Sequence, residues 1–233
     1  MLYYNITKLY FSQYYLISKF MLMCQNLSYQ IGQKKLFDSF NFTLETKKHL
    51  LILGPSGSGK STLLAILAGL QKPNSGNILY EKTNLYNLEG VKIDQFRGAN
   101  LGIIFQNFHL IKSLTLYQNI ALAQSFLDKK IDHNQINYYL KHLGLIDKAK
   151  EKADRLSVGE AQRLALIRAL INKPKWILCD EPTSALDNRN TENMLKLLEE
   201  EAMNCGASLI IVTHDQRVKS HFKKQQILEI GDK

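Results

Sequence analysis

Apolar residues along this chain follow two rhythms. Leu50-Leu51-Ile52-Leu53, Leu101-Gly102-Ile103-Ile104-Phe105, the stretch from Lys175 to Cys179 and the stretch from Ser208 to Val212 are short runs with little or no polar face, which predicts buried strands. From Cys24 to Tyr29 and from Leu36 to Leu44 the apolar positions alternate, as in an antiparallel pair with one wet face. Asn77 to Tyr80 reads as a further short strand after the turn Lys72-Pro73-Asn74-Ser75-Gly76. Helical spacing governs Leu63 to Gly69, the segment from about Asn107 to Arg155 with Ile136, Tyr139, Leu140, Leu143 and Leu145, the segment through Leu170, and a long stretch after Asp187 to about Glu201. Strands alternating with helices specify an α/β fold. The early antiparallel pair forms a β unit of its own, and a helical subdomain of about 107–158 is inserted between core strands.

The boundary between Leu53 and Leu63 carries the first chemistry. It reads Gly54-Pro55-Ser56-Gly57-Ser58-Gly59-Lys60-Ser61-Thr62, a glycine loop between a strand and a helix. Glycines at 54, 57 and 59 let the backbone curl so that successive N–H groups face one anion, and the helix start adds its positive dipole end. Lys60 reaches the outer phosphates as a point charge, and the Ser61 hydroxyl suits Mg²⁺, which prefers hard oxygen ligands. The expected ligand is a Mg²⁺-bound nucleoside triphosphate.

Four later positions extend that chemistry. Gln106 ends a strand where α/β folds place their ligands, although a lone glutamine there also reads as a surface residue. Leu156-Ser157-Val158-Gly159-Glu160 opens a helix and reads either as a second anion site or as a capping box of Ser157 with Glu160. Asp180 and Glu181 end a buried strand, where adjacent carboxylates are costly unless used. Because strand side chains alternate, Asp180 can support a metal shell while Glu181 orients or deprotonates a water. Ser184-Ala185-Leu186-Asp187 comes directly after. His214 ends the next strand, where it can touch a phosphate.

Composition narrows the setting. The 233 residues are 45% hydrophobic, enough for one large α/β domain or a core with a small subdomain. The formal charge of +9 would suit a polyanion, yet the lysines are scattered with no arginine stripe, and no nucleic-acid partner is expected. Cys24, Cys179 and Cys205 are odd in number, widely spaced and form no C-x-x-C, which argues against a disulfide framework or zinc site and fits a reducing, cytoplasmic setting. No apolar run approaches membrane-spanning length. Residues 1–20, with five tyrosines and two lysines, do not share the rhythm of the rest of the chain; they read as a leader upstream of a start at Met21 or Met23, or alternatively as a membrane-surface helix.

Taken in order, these residues resemble the nucleotide-binding subunit of an ABC transporter over residues 22–230. The resemblance implies a P-loop NTPase core of ABC ATPase type: a mixed sheet with helices on both faces, an antiparallel β subdomain and the inserted helical subdomain. It implies that Tyr29 stacks on adenine, that the loop residues Gly54, Pro55, Ser56, Gly57, Ser58, Gly59, Lys60, Ser61 and Thr62 hold the phosphates of ATP, and that Ser61, Gln106 and Asp180 serve Mg²⁺. Glu181 would be the general base, with His214 on the γ-phosphate and Gln106 on the lytic water. Ser157, Gly159 and Glu160 would reach ATP held by a second copy, and Asp187 would link the two sites of a homodimer that drives integral membrane permease subunits from the cytoplasmic face of the plasma membrane. The family's signature is usually Leu-Ser-Gly-Gly-Gln, so Val158 and Glu160 are departures. The short chain, Gln106-Asn107-Phe108-His109-Leu110 and Glu160 are similar to the lipoprotein-release, macrolide-export and cell-division subgroup. A permease-free ABC ATPase is the rival reading, against which stands the lack of a tandem duplication or long coiled-coil insert. A GTPase is disfavoured by the lack of an Asn-Lys-x-Asp motif.

Overall fold

The computed structural model describes residues 20–231 apart from 46, 128, 129 and 185. The leader of 1–20 therefore lies outside the described residues save for Phe20. Two sheets carry the fold. Strands β1 (Phe20–Ile31), β2 (Lys34–Glu45), β4 (Ser75–Tyr80) and β5 (Thr83–Asn84) form an antiparallel sheet in the order β2-β1-β4-β5. Strands β3 (Leu50–Leu53), β6 (Leu101–Ile104), β7 (Trp176–Asp180), β8 (Ser208–Thr213) and β9 (Gln226–Glu229) form a parallel sheet in the order β6-β7-β8-β3-β9. Parallel and antiparallel pairings are thus segregated rather than mixed within one sheet.

The continuous apolar runs are the central parallel strands, and their side chains alternate between two cores. Leu51, Leu53, Ile177, Cys179, Leu209 and Ile211 face one core, shared with the later helices. Leu50, Ile52, Trp176, Leu178, Ile210 and Val212 face the other, which also takes α1 (Lys60–Leu67) and the inner face of the antiparallel sheet. A strand buried on both sides has no polar face to show, which is why these stretches read as unbroken hydrophobic runs.

Helix starts follow the local chemistry of their caps. Thr115 with Gln118 opens α3 (Leu116–Ser125) and Asp132 opens α4 (His133–His142), the two helices that fall inside the predicted helical segment. Ser157 with Glu160 opens α5 (Val158–Leu170), and Asp187 opens α6 (Asn188–Cys205), which ends on Gly206 in the left-handed region. Among the described strands and α-helices four went unpredicted: β5, β9, α2 (Val91–Asn100) and α7 (Gln216–His221).

Helix α5 lies so close under the edge strand β6 that a Cβ on Gly102 would meet the Ala169 carbonyl oxygen at 2.5 Å. Gly102→Ala should therefore destabilise the protein by about 1–3 kcal/mol, the usual cost of overpacking against backbone. Urea unfolding would register it as a lower midpoint at unchanged slope, and an unchanged midpoint would refute the close approach.

Candidate functional site

Parallel pairing brings the carboxyl ends of three strands level, with Leu53 beside Thr213 and Asp180 beside Val212. Beyond β3 the loop Gly54–Thr62 turns tightly, with Gly57 at φ 78° and Gly59 at φ 98°, a region that side-chain-bearing residues rarely adopt. Gly54 has a second reason to lack a side chain, since a Cβ there would lie 2.1 Å from the Ile230 carbonyl oxygen. Lys60, at the first turn of α1 and 5% exposed, arches back over the loop to donate to the carbonyls of Gly54 at 2.7 Å and Pro55 at 2.9 Å.

Strand alternation sends Asp180 to the α1 side, where Ser61 donates its hydroxyl to Oδ1 at 3.0 Å. Burial raises the Asp180 carboxyl above the ordinary range, the Ser61 hydrogen bond pulling the other way. Glu181 leaves the strand in the left-handed region at φ 46°, an unusual conformation for a non-glycine residue. Its buried carboxylate accepts from Thr213 Oγ1 at 2.7 Å and from the His214 backbone N–H at 3.2 Å, and pairs with His214 Nδ1 at 2.7 Å. Lys60 Nζ lies 3.8 Å from the same carboxylate. Ser56, Gly57, Gly59, Lys60, Ser61 and Thr62, with Gln106, Glu181 and His214, line one cavity of about 440 Å³. This donor set suits a magnesium triphosphate: backbone N–H groups and a lysine for the phosphates, and a hydroxyl hydrogen-bonded to a carboxylate for the metal.

Not every expected residue gathers there. Tyr29 is half-buried against the core between the two sheets and is not among the residues that line this cavity; Ile31, Lys34 and Leu36 are. Ser157, Gly159 and Asp187 line a different cavity of about 440 Å³ that shares no residue with the first. Asp187 caps α6 by accepting from the Asn190 N–H at 2.8 Å. Glu160 is held in the capping box, where it accepts from the Ser157 N–H and hydroxyl, each at 2.9 Å, and pairs with Lys148 at 2.7 Å. These partners pull its carboxyl down to about 2, Lys148 foremost.

Two functional neighbours escaped the sequence reading. Thr213, the last residue of β8, holds Glu181, and its place directly before His214 was the signal for it. Arg168 of α5, half-buried, donates to the carbonyls of Phe108 and His109, bracing the turn behind Gln106 where both residues have positive φ.

Comparison with known proteins agrees with this geometry. Residues 37–184 match the ABC transporter family. The chain is 35% identical over 217 residues to the lipoprotein-releasing system ATP-binding protein LolD of Idiomarina loihiensis, covering 91% of this chain and 95% of that one. It is equally 35% identical over 218 residues to the uncharacterized ABC transporter ATP-binding protein YvrO of Bacillus subtilis, with the same coverage. Among solved structures, the dimeric ATP-binding cassette MJ0796 bound to ADP and Pi superposes with a TM-score of 0.80 at 31% identity, covering 90% of this chain and 94% of that one. CbiO1 from Clostridium perfringens, part of an ABC transporter complex, superposes at 0.77 with 27% identity, covering 91% and 85%. With Glu181 and His214 gathered on one cavity with the phosphate loop, and Asp180 hydrogen-bonded to Ser61 of that loop, the chain belongs to the ABC transporter family, as an ATP-binding and ATP-hydrolysing cassette.

Proposed function

We propose that this cassette is the motor subunit of an ABC transporter in which two copies close around two Mg-ATP and the closure drives an integral membrane permease. One observation carries the reading: Lys60, Ser61, Glu181 and His214 line a single cavity with the phosphate loop, Ser61 being bonded to Asp180 and the Glu181 carboxylate held by Thr213 and His214. Lys60 and the loop N–H groups would bind the phosphates. Ser61 and Asp180, with Gln106 at the exposed rim, would hold Mg²⁺, which when bound supplies neutralisation of phosphate charge. Glu181 accepts the proton of the attacking water as its oxygen bonds to the γ-phosphorus and ADP leaves, and His214 meets the γ-phosphate. The separation of Ser157 and Gly159 from this cavity supports their use on ATP held by a second copy.

The lipoprotein-releasing relative supports a place in the release and export subgroup and a location at the cytoplasmic face of the membrane, attached through the permease. Among the described residues no helix is long and apolar enough to cross a membrane. In this reading the segment of about 107–158 is a helical subdomain joined to the core just behind Gln106.

Lys60→Ala should lower turnover by about 100-fold or more by removing the cation that meets the outer phosphates. Phosphate release at saturating Mg-ATP measures it, and normal turnover would sink the phosphate-loop assignment. Glu181→Gln should keep ATP binding while turnover falls by about 100-fold or more. Light scattering on that variant with Mg-ATP should give the mass of a dimer; a monomer would refute the two-copy closure. Thr213→Val takes one donor from Glu181 and should slow turnover by about tenfold with the ATP dissociation constant unchanged. An unaltered rate would mean that Thr213 does not position Glu181.

A further inference from the structure

The phosphate loop and the start of α5 line cavities that share no residue, yet one short stretch of chain reaches both. It leaves the first cavity at Glu181 and arrives in the second at Leu186 and Asp187. Its far end is held by a side chain from another element, Arg217 in the first turn of α7. A cation in that turn faces the positive end of its own helix, so helix chemistry gives no reason for an arginine there. The reason lies in what the guanidinium bonds.

Arg217 serves two sets of acceptors with one planar fork. Nε and Nη2 donate to the two carboxylate oxygens of Asp215 at 3.0 and 2.8 Å, while Nη1 donates to the Leu186 carbonyl at 3.1 Å and to Asn188 Oδ1 at 3.0 Å. Asp215 also accepts from the Thr183 hydroxyl at 2.7 Å, so both ends of the stretch are tied to one ion pair. These donors, Arg217 foremost, pull the Asp215 carboxyl down to about 2 and keep the pair charged at neutral pH. The bonds continue toward the water-activating carboxylate: the Asp215 N–H donates to Thr213 Oγ1 at 3.0 Å, and that hydroxyl donates to Glu181 at 2.7 Å. A contiguous network therefore runs from Glu181 through Thr213, Asp215 and Arg217 to the two residues that flank Asp187.

Resting on the two-copy reading above, we infer that Arg217 is a positioning residue: it fixes Leu186 and Asn188 so that Asp187 stands where a second copy meets it, and ties that position to Glu181. Arg217 lines neither cavity, so its loss acts on the closure of two copies and not on the capture of ATP. Lysine cannot replace it, because an ammonium is a single donor centre and cannot grip Asp215 and the two acceptors beside Asp187 at once.

Light scattering of the full chain in the Glu181→Gln background tests this, with calorimetry of ATP binding at protein concentrations below those that dimerise. Arg217→Ala should raise the Mg-ATP concentration for half-dimerisation by about tenfold, as expected for losing hydrogen bonds from a charged donor, while the ATP dissociation constant stays unchanged. Arg217→Lys should show the same defect. Asn188→Ala removes one acceptor and leaves the ion pair whole; its shift should be about threefold, and it reads the same contact if Arg217→Ala fails to fold. Half-dimerisation at the parent's ATP concentration in these variants would overturn the inference and leave the two-copy reading intact. An ATP affinity that falls as far as dimerisation does would equally overturn it, since Arg217 would then be acting on the nucleotide cavity, and full recovery in Arg217→Lys would show that charge rather than the fork is what matters. A Glu181→Gln parent that stays monomeric with Mg-ATP would sink both readings together.

Discussion

The site depends on three neighbouring strands pointing the same way. In a parallel sheet every strand delivers its carboxyl end to one edge, and the order β7-β8-β3 puts a carboxylate pair, a threonine with a histidine, and a glycine loop side by side there. The sequence separation is large, from Gly54 to His214, so only the sheet can hold these groups together. Packing on both faces keeps the edge in place: one core under the later helices and one between the two sheets. Alternation then decides which strand-end carboxylate meets α1. Asp180 falls on the side of Leu178 and finds Ser61, while Glu181 turns out of the strand toward His214.

That arrangement concentrates polar groups where water is scarce. Lys60 and Glu181 are each below 10% exposed and 3.8 Å apart, a geometry in which desolvation opposes the Coulomb gain. Both are tied by other bonds, Lys60 to two loop carbonyls and Glu181 to Thr213 and His214. The pair is better understood as orientation than as stability. Its carboxylate sits on a residue with positive φ, a conformation that costs energy and persists because the surrounding bonds over-determine it. Exposed pairs such as Lys196 with Glu192 contribute little by contrast.

Much of this was legible because the signals were local. A glycine loop between an apolar run and a helix has few alternatives, and strands buried on both faces announce themselves by lacking any polar position. The faces of β1 were less legible, because its pairing with β2 is irregular. Register shifts occur between Cys24 and Leu27, between Leu27 and Tyr29, and between Tyr29 and Gln30. Each irregularity breaks the period-two count by which a side chain is assigned to a face, so the strand alone does not tell that Tyr29 lies half-buried against the core while Ile31 lines the cavity. Thr213 was hidden differently, as the last member of an otherwise apolar run. Helix α2 buries none of its residues and β9 is only half-buried, so neither carried a hydrophobic pattern to find.

The start of α5 shows how one substitution serves two demands at once. Ser157 has a single hydroxyl hydrogen, and Glu160 accepts it at 2.9 Å while also accepting the Ser157 N–H. The two readings of this stretch, helix cap and anion site, therefore compete for the same donor. An anion approaching α5 meets the positive end of a helix but also a carboxylate that stays ionised well below neutral pH. Lys148 lies against that carboxylate at 2.7 Å and cancels much of its charge. A glutamine at 160 would keep the side-chain geometry without the charge and would have no need of the lysine. Glu160 and Lys148 thus act as one unit, and the charge at this helix start is set by the pair as well as by the helix dipole.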